Sequence, residues 1–134
     1  MCAVYEMNLW AAWIGILLGM VTGAVQGLFF HADGWLGGYG SWRRRLLRLG
    51  HISFFGLAFV NLAFVFTVDW LGGQVAGGAP SVDAAAWLLV AGAALMPATC
   101  YAAAWRPGLR HLFVGPVSCL VVGITILLIW GTMR

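Results

Sequence analysis

The feature that most constrains this chain is a set of four long apolar stretches that carry almost no charge. They cover residues 8 to 30, 51 to 71, 83 to 104 and 112 to 131, with boundaries set approximately. A bilayer core about 30 Å thick requires roughly 20 helical residues, and a lone stretch in hydrocarbon must be helical to satisfy its own backbone groups. The sequence therefore predicts an all-α integral membrane protein, a four-helix bundle in one transmembrane domain spanning residues 1–134.

Composition excludes an ordinary soluble domain. Hydrophobic residues make up 63% of the chain and charged residues 8%, and the mean hydropathy is +0.94. Soluble domains have about 45–50% apolar and roughly 25% charged residues. The first stretch is not preceded by the basic segment of a cleavable signal peptide, so we expect the first span to be retained.

The positive charges predict which way the spans are oriented. They concentrate in the first and third loops, whereas the N-terminal segment and the loop over residues 72–82 carry no basic residue. Basic loops stay in the cytoplasm, which predicts both termini outside and a location in a bacterial inner membrane. Because these arginines flank spans, we expect them to bind anionic lipid headgroups and not nucleic acid. They are Arg43, Arg44, Arg45, Arg48, Arg106 and Arg110.

The first loop contains a short helical segment. Ser41 is suited to cap a helix over Trp42–Leu49, with Trp42, Leu46 and Leu49 along one side. This helix either lies in the membrane interface or continues span two into the cytoplasm. The third loop is short, so spans three and four are expected to form an antiparallel hairpin.

Small residues at four-residue spacing predict close helix contacts. The most regular set lies in span one, and such a stripe lets a second helix approach backbone to backbone. Two interpretations remain open: the stripes pack the chain's own bundle, or span one contacts another membrane subunit. The stripes are Gly15, Gly19, Gly23 and Gly27 in span one, Ala94, Ala98 and Ala102 in span three, and Gly115, Cys119 and Gly123 in span four.

Polar residues within the spans are few. Gln26 lies low in span one and Asn61 lies near the middle of span two, and both are expected to form hydrogen bonds between helices. Amides do not titrate, and the spans lack a chain of carboxylates. These facts argue against a proton or cation pump.

Three histidines are expected at the same cytoplasmic boundary: His31, His51 and His111. Together they could bind a b-type haem, a metal ion, a quinone or an anionic lipid. Alternatively they are ordinary boundary residues between headgroups and core. His51 has the strongest case for a role because it shares a face of span two with Phe55, Ala58 and Asn61.

No catalytic motif is present, and this shapes the functional hypotheses. The leading one is a non-catalytic subunit or anchor of a multisubunit membrane complex, of the respiratory or photosynthetic electron-transfer kind. The second is a redox module that binds haem or quinone at the cytoplasmic boundary. A small transporter is the least favoured.

Overall fold

Four long helices make up most of the chain. The computed structural model describes residues 3–72 and 80–133, so most of the loop predicted over residues 72–82 lies outside the described part. Each of the four helical segments is long and apolar enough to cross a membrane. The helices are α1 (Ala3–Leu28), α2 (Trp42–Gly72), α3 (Pro80–Trp105) and α4 (Val114–Thr132), with short 3₁₀ turns at Trp35–Gly37 and Pro107–Phe113.

Helix α2 begins at Trp42 and runs without interruption through the second apolar stretch. Of the two alternatives for Trp42–Leu49, the structure therefore shows the continuation of span two. The predicted cap is confirmed, since the Arg44 backbone N–H donates to Ser41 Oγ at 3.2 Å. Such a bond satisfies one of the amides that a helix start leaves without a partner.

The glycine stripe of α1 packs against α2. A methyl group on Gly15 would lie 3.1 Å from the Phe54 carbonyl oxygen. At Gly19 it would meet the ring of Phe55 at 2.7 Å, and at Gly23 it would meet Cε1 of His51 at 2.5 Å. The side chains that face Gly15, Gly19 and Gly23 are those of Ala58, at 3.2 Å, then Phe55 and His51. Their numbers fall as the glycine numbers rise, so the two helices are antiparallel. Gly15, Gly19 and Gly23 thus serve contacts within the chain.

Two buried asparagines join three helices near the end of the bundle where α1 begins. Asn8 Nδ2 donates to Asn61 Oδ1 at 2.8 Å and to the Ala86 carbonyl at 3.1 Å. Asn61 Nδ2 donates to the Leu57 carbonyl at 2.9 Å, and both asparagine side chains are fully buried. Asn61 thus accepts a hydrogen bond from α1 across the interface.

Helix α3 is the central element, because it packs against α1, α2 and α4. Of the two interpretations of its small-residue stripe, packing within the chain's own bundle is not observed at Ala94 and Ala98, which are exposed. Their stripe points away from the other helices, whereas another set of small residues faces inward. That set includes Ala85, Ala86, Gly92, Cys100, Ala103 and Ala104, all buried.

Helix α4 lies along α3 as the predicted antiparallel hairpin. Leu120 of α4 fills the space beside Gly92, where an added methyl would lie 2.6 Å from Leu120 Cδ2. In return, a methyl on Gly123 would lie 3.2 Å from Leu89 Cδ2. Among the described residues of α4, Pro116 and Gly123 are the buried ones. The helix therefore packs through one narrow face.

Replacing Gly15 with leucine should force α1 away from α2. The Phe54 carbonyl belongs to helix backbone and cannot turn aside, so we expect a loss of about 1–3 kcal/mol in stability from overpacking. Gly27→Leu is the matched control, because nothing lies within 4 Å of a methyl group there. Thermal unfolding in detergent micelles measures both, and equal loss in the two variants would contradict the close contact at Gly15.

Asn8 and Asn61 should be energetically coupled. In a double-mutant cycle of Asn8→Leu and Asn61→Leu, we expect a coupling energy of about 0.5–1.5 kcal/mol, the range found for hydrogen bonds between membrane helices. The control cycle pairs Asn8→Leu with Gln26→Leu, about 27 Å further along α1 at 1.5 Å per residue, and should be additive. Additive behaviour in the Asn8–Asn61 cycle would argue against the hydrogen bond.

Candidate functional site

The arginine and histidine side chains gather at one end of the bundle, here called the basic end. It consists of the loop over residues 29–41, the first two turns of α2, the last turn of α3 and the turn over residues 107–113. Six of the seven arginines and all three histidines lie in or beside these segments. This end is the candidate functional site.

His51 occupies a slot between α1 and α2 that Gly23 leaves open. Its Nδ1 lies 3.4 Å from Thr22 Oγ1, and its ring meets Phe55 edge to face at 5.5 Å between centroids. The Thr22 hydroxyl donates its hydrogen to the Leu18 carbonyl at 2.7 Å. Its oxygen can therefore only accept a hydrogen bond from His51. The contact therefore favours the Nδ1–H form, which leaves a lone pair on Nε2.

Gln26 ties α1 to α2 and α3 one turn nearer the basic end. Its Nε2 donates to the Leu47 carbonyl and to the Tyr101 hydroxyl, both at 3.3 Å. The side chain is buried, and its Oε1 has no hydrogen-bond partner. The predicted interhelical bonding of Gln26 is confirmed. Beside it, Gly50 lets Tyr101 approach α2 closely, at 3.1 Å from a methyl group placed on that glycine.

Arg44 is buried inside an aromatic cage. Its guanidinium carbon lies 5.3 Å from the ring centre of Phe30, 5.5 Å from Trp35 and 5.4 Å from Tyr39. Its Nη2 donates to the Phe30 carbonyl at 3.3 Å, and its Nε is buried without a partner. Only 4% of the residue is exposed. Ring faces attract a guanidinium electrostatically, so the cage holds a charge that carboxylates would ordinarily balance.

The first loop folds so that its rings reach Arg44. Phe29 and Trp35 stack nearly parallel at 5.5 Å, and the chain then turns sharply through Leu36 and Gly37, both at positive φ. A leucine rarely adopts this conformation. Ser41 helps to hold it there, because its hydroxyl donates to the Leu36 carbonyl at 2.8 Å. Ser41 thus fixes the loop and the start of α2 together.

The remaining arginines surround the cage. Arg48 stacks on Tyr39 at 4.2 Å and donates to its carbonyl at 3.3 Å. Arg43 stacks on Trp105 at 5.2 Å, which joins α2 to the last turn of α3. Three further arginines are exposed: Arg45, Arg106 and Arg110. Headgroup binding by these residues stays a prediction, whereas the enclosed Arg44 offers little surface to lipid.

The three histidines occupy different surroundings. His31 and His111 are exposed, and His51 is partly buried between α1 and α2. Over residues 3–72 and 80–133, no group of three His, Cys, Asp or Glu side chains is arranged to hold a metal ion. The structure therefore does not assemble a metal site from all three histidines. Binding of haem or quinone by any of them stays a prediction.

Several residues of the basic end escaped the sequence-based prediction. Thr22 was overlooked because a lone threonine in an apolar stretch carries no signal. Phe30, Trp35 and Tyr39 were visible as aromatic residues near arginines, but their meeting around one guanidinium depends on the loop turn. Comparison with known protein-family models, curated proteins and solved structures gave no match.

Proposed function

We propose that this chain is a non-catalytic integral membrane subunit that anchors or packs a larger membrane complex. The proposal rests on the hydrogen bonds that the amide side chains form within the spans. Asn8, Asn61 and Gln26 each bond to a neighbouring helix. Amide side chains within spans hold helices together in this way, which is consistent with a structural role.

The outer surface supports the same proposal. The glycine face of α1 is covered by α2 at Gly15, Gly19 and Gly23. A partner subunit on span one would therefore contact its outward face, where Leu17 is 60% exposed. Helix α4 offers a second surface, since it packs through one narrow face and leaves Val121 58% exposed. Either surface would suit another apolar helix.

The proposed orientation follows from the charges. The basic end faces the cytoplasm and both termini lie outside, because arginine-rich loops resist translocation. This arrangement fits a bacterial inner membrane. The exposed arginines Arg45, Arg106 and Arg110 would then contact anionic headgroups of the inner leaflet.

Photo-crosslinking in native membranes tests the subunit proposal. A photoreactive residue at Leu17 or Val121 should give a discrete protein adduct at one of the two positions at least. Phe59, which is 60% exposed at a similar mid-span level of α2, is the matched control and should label lipid. Adducts are identified by mass spectrometry.

The opposite result is equally clear. Lipid adducts alone at all three positions, together with a stable monodisperse monomer in mild detergent, would rule out a stable complex. A protein adduct at Phe59 alone would move the partner surface to α2.

A second candidate function is a redox module, and one observation favours it. The bond pattern around His51 leaves the Nε2 lone pair available, and this is the form in which a neutral histidine ligates haem iron or accepts a hydrogen bond from a reduced quinone. His31 or His111 would have to supply a further ligand. If the chain is such a redox module, the membrane complex to which it belongs would be a respiratory or photosynthetic one.

An absorption spectrum of the purified protein tests the haem version. We expect a Soret band that weakens in His51→Ala and survives in Thr22→Val with a shifted reduction potential, since Thr22 orients the ring. No Soret band, either as purified or after reconstitution with haem, would end this hypothesis.

A further inference from the structure

Arg48 is held in place before any ligand arrives. Its guanidinium lies over the ring of Tyr39 at 4.2 Å, and its Nη2 donates to the Tyr39 carbonyl at 3.3 Å. The side chain is only partly buried, so the fork of N–H groups retains access from outside. A fixed arginine loses less conformational freedom on binding than a mobile one. Arg48 therefore differs from the freely exposed arginines of the same end.

Arg44 adds a second positive charge, and no carboxylate in the part of the chain that the structure describes pairs with it. Both guanidinium carbons lie close to the same Tyr39 ring, at 5.4 Å and 4.2 Å from its centre. The two charges are therefore less than a Debye length, about 10 Å, apart. Arg44 contacts one carbonyl and three rings, and its Nε is buried without a partner. Asp33, the acidic residue of this loop, is exposed. A buried cation of this kind raises the potential at Arg48.

The start of α2 increases that potential further. The helix has no acidic residue in its first turn, although acidic side chains are favoured there because the N-terminus carries a partial positive charge. Arginines occupy its second, third and fourth positions instead. Two like charges one turn apart, as at Arg44 and Arg48, repel each other. An external anion would remove this conflict.

We propose that Arg48, Tyr39 and the enclosed Arg44 form a specific binding site for a phosphate group, supplied by the headgroup of a net-anionic phospholipid. Arginine matches phosphate through two parallel N–H bonds. The site lies at the end of a helix long and apolar enough to span a membrane, and lipid phosphates lie beyond the two ends of such spans. Arg48 makes the direct contact, Tyr39 keeps it oriented, and Arg44 supplies a fixed charge behind it.

Lipid binding to single-residue variants in nanodiscs tests the proposal. The full chain is placed in phosphatidylcholine discs, and phosphatidylglycerol binding is followed by native mass spectrometry and thermal unfolding. Arg48→Gln should weaken the apparent affinity about tenfold, as expected for loss of a charge-assisted hydrogen bond. Arg43→Gln should weaken it less than twofold. Arg43 is the matched control because it has the same charge, lies in the same helix and stacks on Trp105.

Two further measurements distinguish a specific lipid site from a misfolded variant and from a site for free phosphate. Arg48→Lys keeps the charge but loses the planar fork, so an intermediate loss supports the site even if Arg48→Gln folds poorly. Inorganic phosphate added to phosphatidylcholine discs identifies the source: stabilisation that depends on Arg48 would assign the site to free phosphate. Equal loss of phosphatidylglycerol binding in Arg48→Gln and Arg43→Gln would overturn the proposal, because diffuse attraction would then account for the binding.

Discussion

The close approach of α1 to α2 is the contact on which the rest of the structure depends. Where Gly15, Gly19 and Gly23 face α2, the helix backbones come near enough for side chains to bridge them. In lipid there is no hydrophobic force between helices, so association rests on packing and hydrogen bonds. The asparagine pair and His51 both lie in this interface, and both need the short separation. The Arg44 cage lies beyond the end of α1, where the first loop meets α2.

The packing is uneven across the bundle, and the unevenness has a physical origin. Helix α3 presents alanines and a glycine to its neighbours, so three helices can press against it. Helix α4 meets it through Leu120 and Gly123 and keeps the rest of its surface apolar. A helix that packs along one face can contact either lipid or a partner protein with its other faces. The packing of the other three helices then changes little. This arrangement suits the proposed role of a subunit.

The sequence predicts the spans well because hydrocarbon imposes a length and an apolar composition that can be counted. It also predicts Ser41 as a cap and an interhelical hydrogen bond at Asn61, since both follow from local chemistry. The exposure of Ala94 and Ala98 was not predicted, because four-residue spacing places residues on one side of a helix without showing whether that side faces inward. The Arg44 cage was beyond prediction, since it depends on positive φ at Leu36, where glycine would ordinarily be expected.

The cage around Arg44 has a consequence for how the first loop responds to its surroundings. A loop fastened by carboxylates is released when acid protonates them, and salt weakens exposed pairs of that type. Here the fastening consists of the Arg44 guanidinium, the rings of Phe30 and Trp35, and a backbone carbonyl. No carboxylate takes part in these contacts. The loop should therefore stay packed on α2 when the pH and the ionic strength around it change.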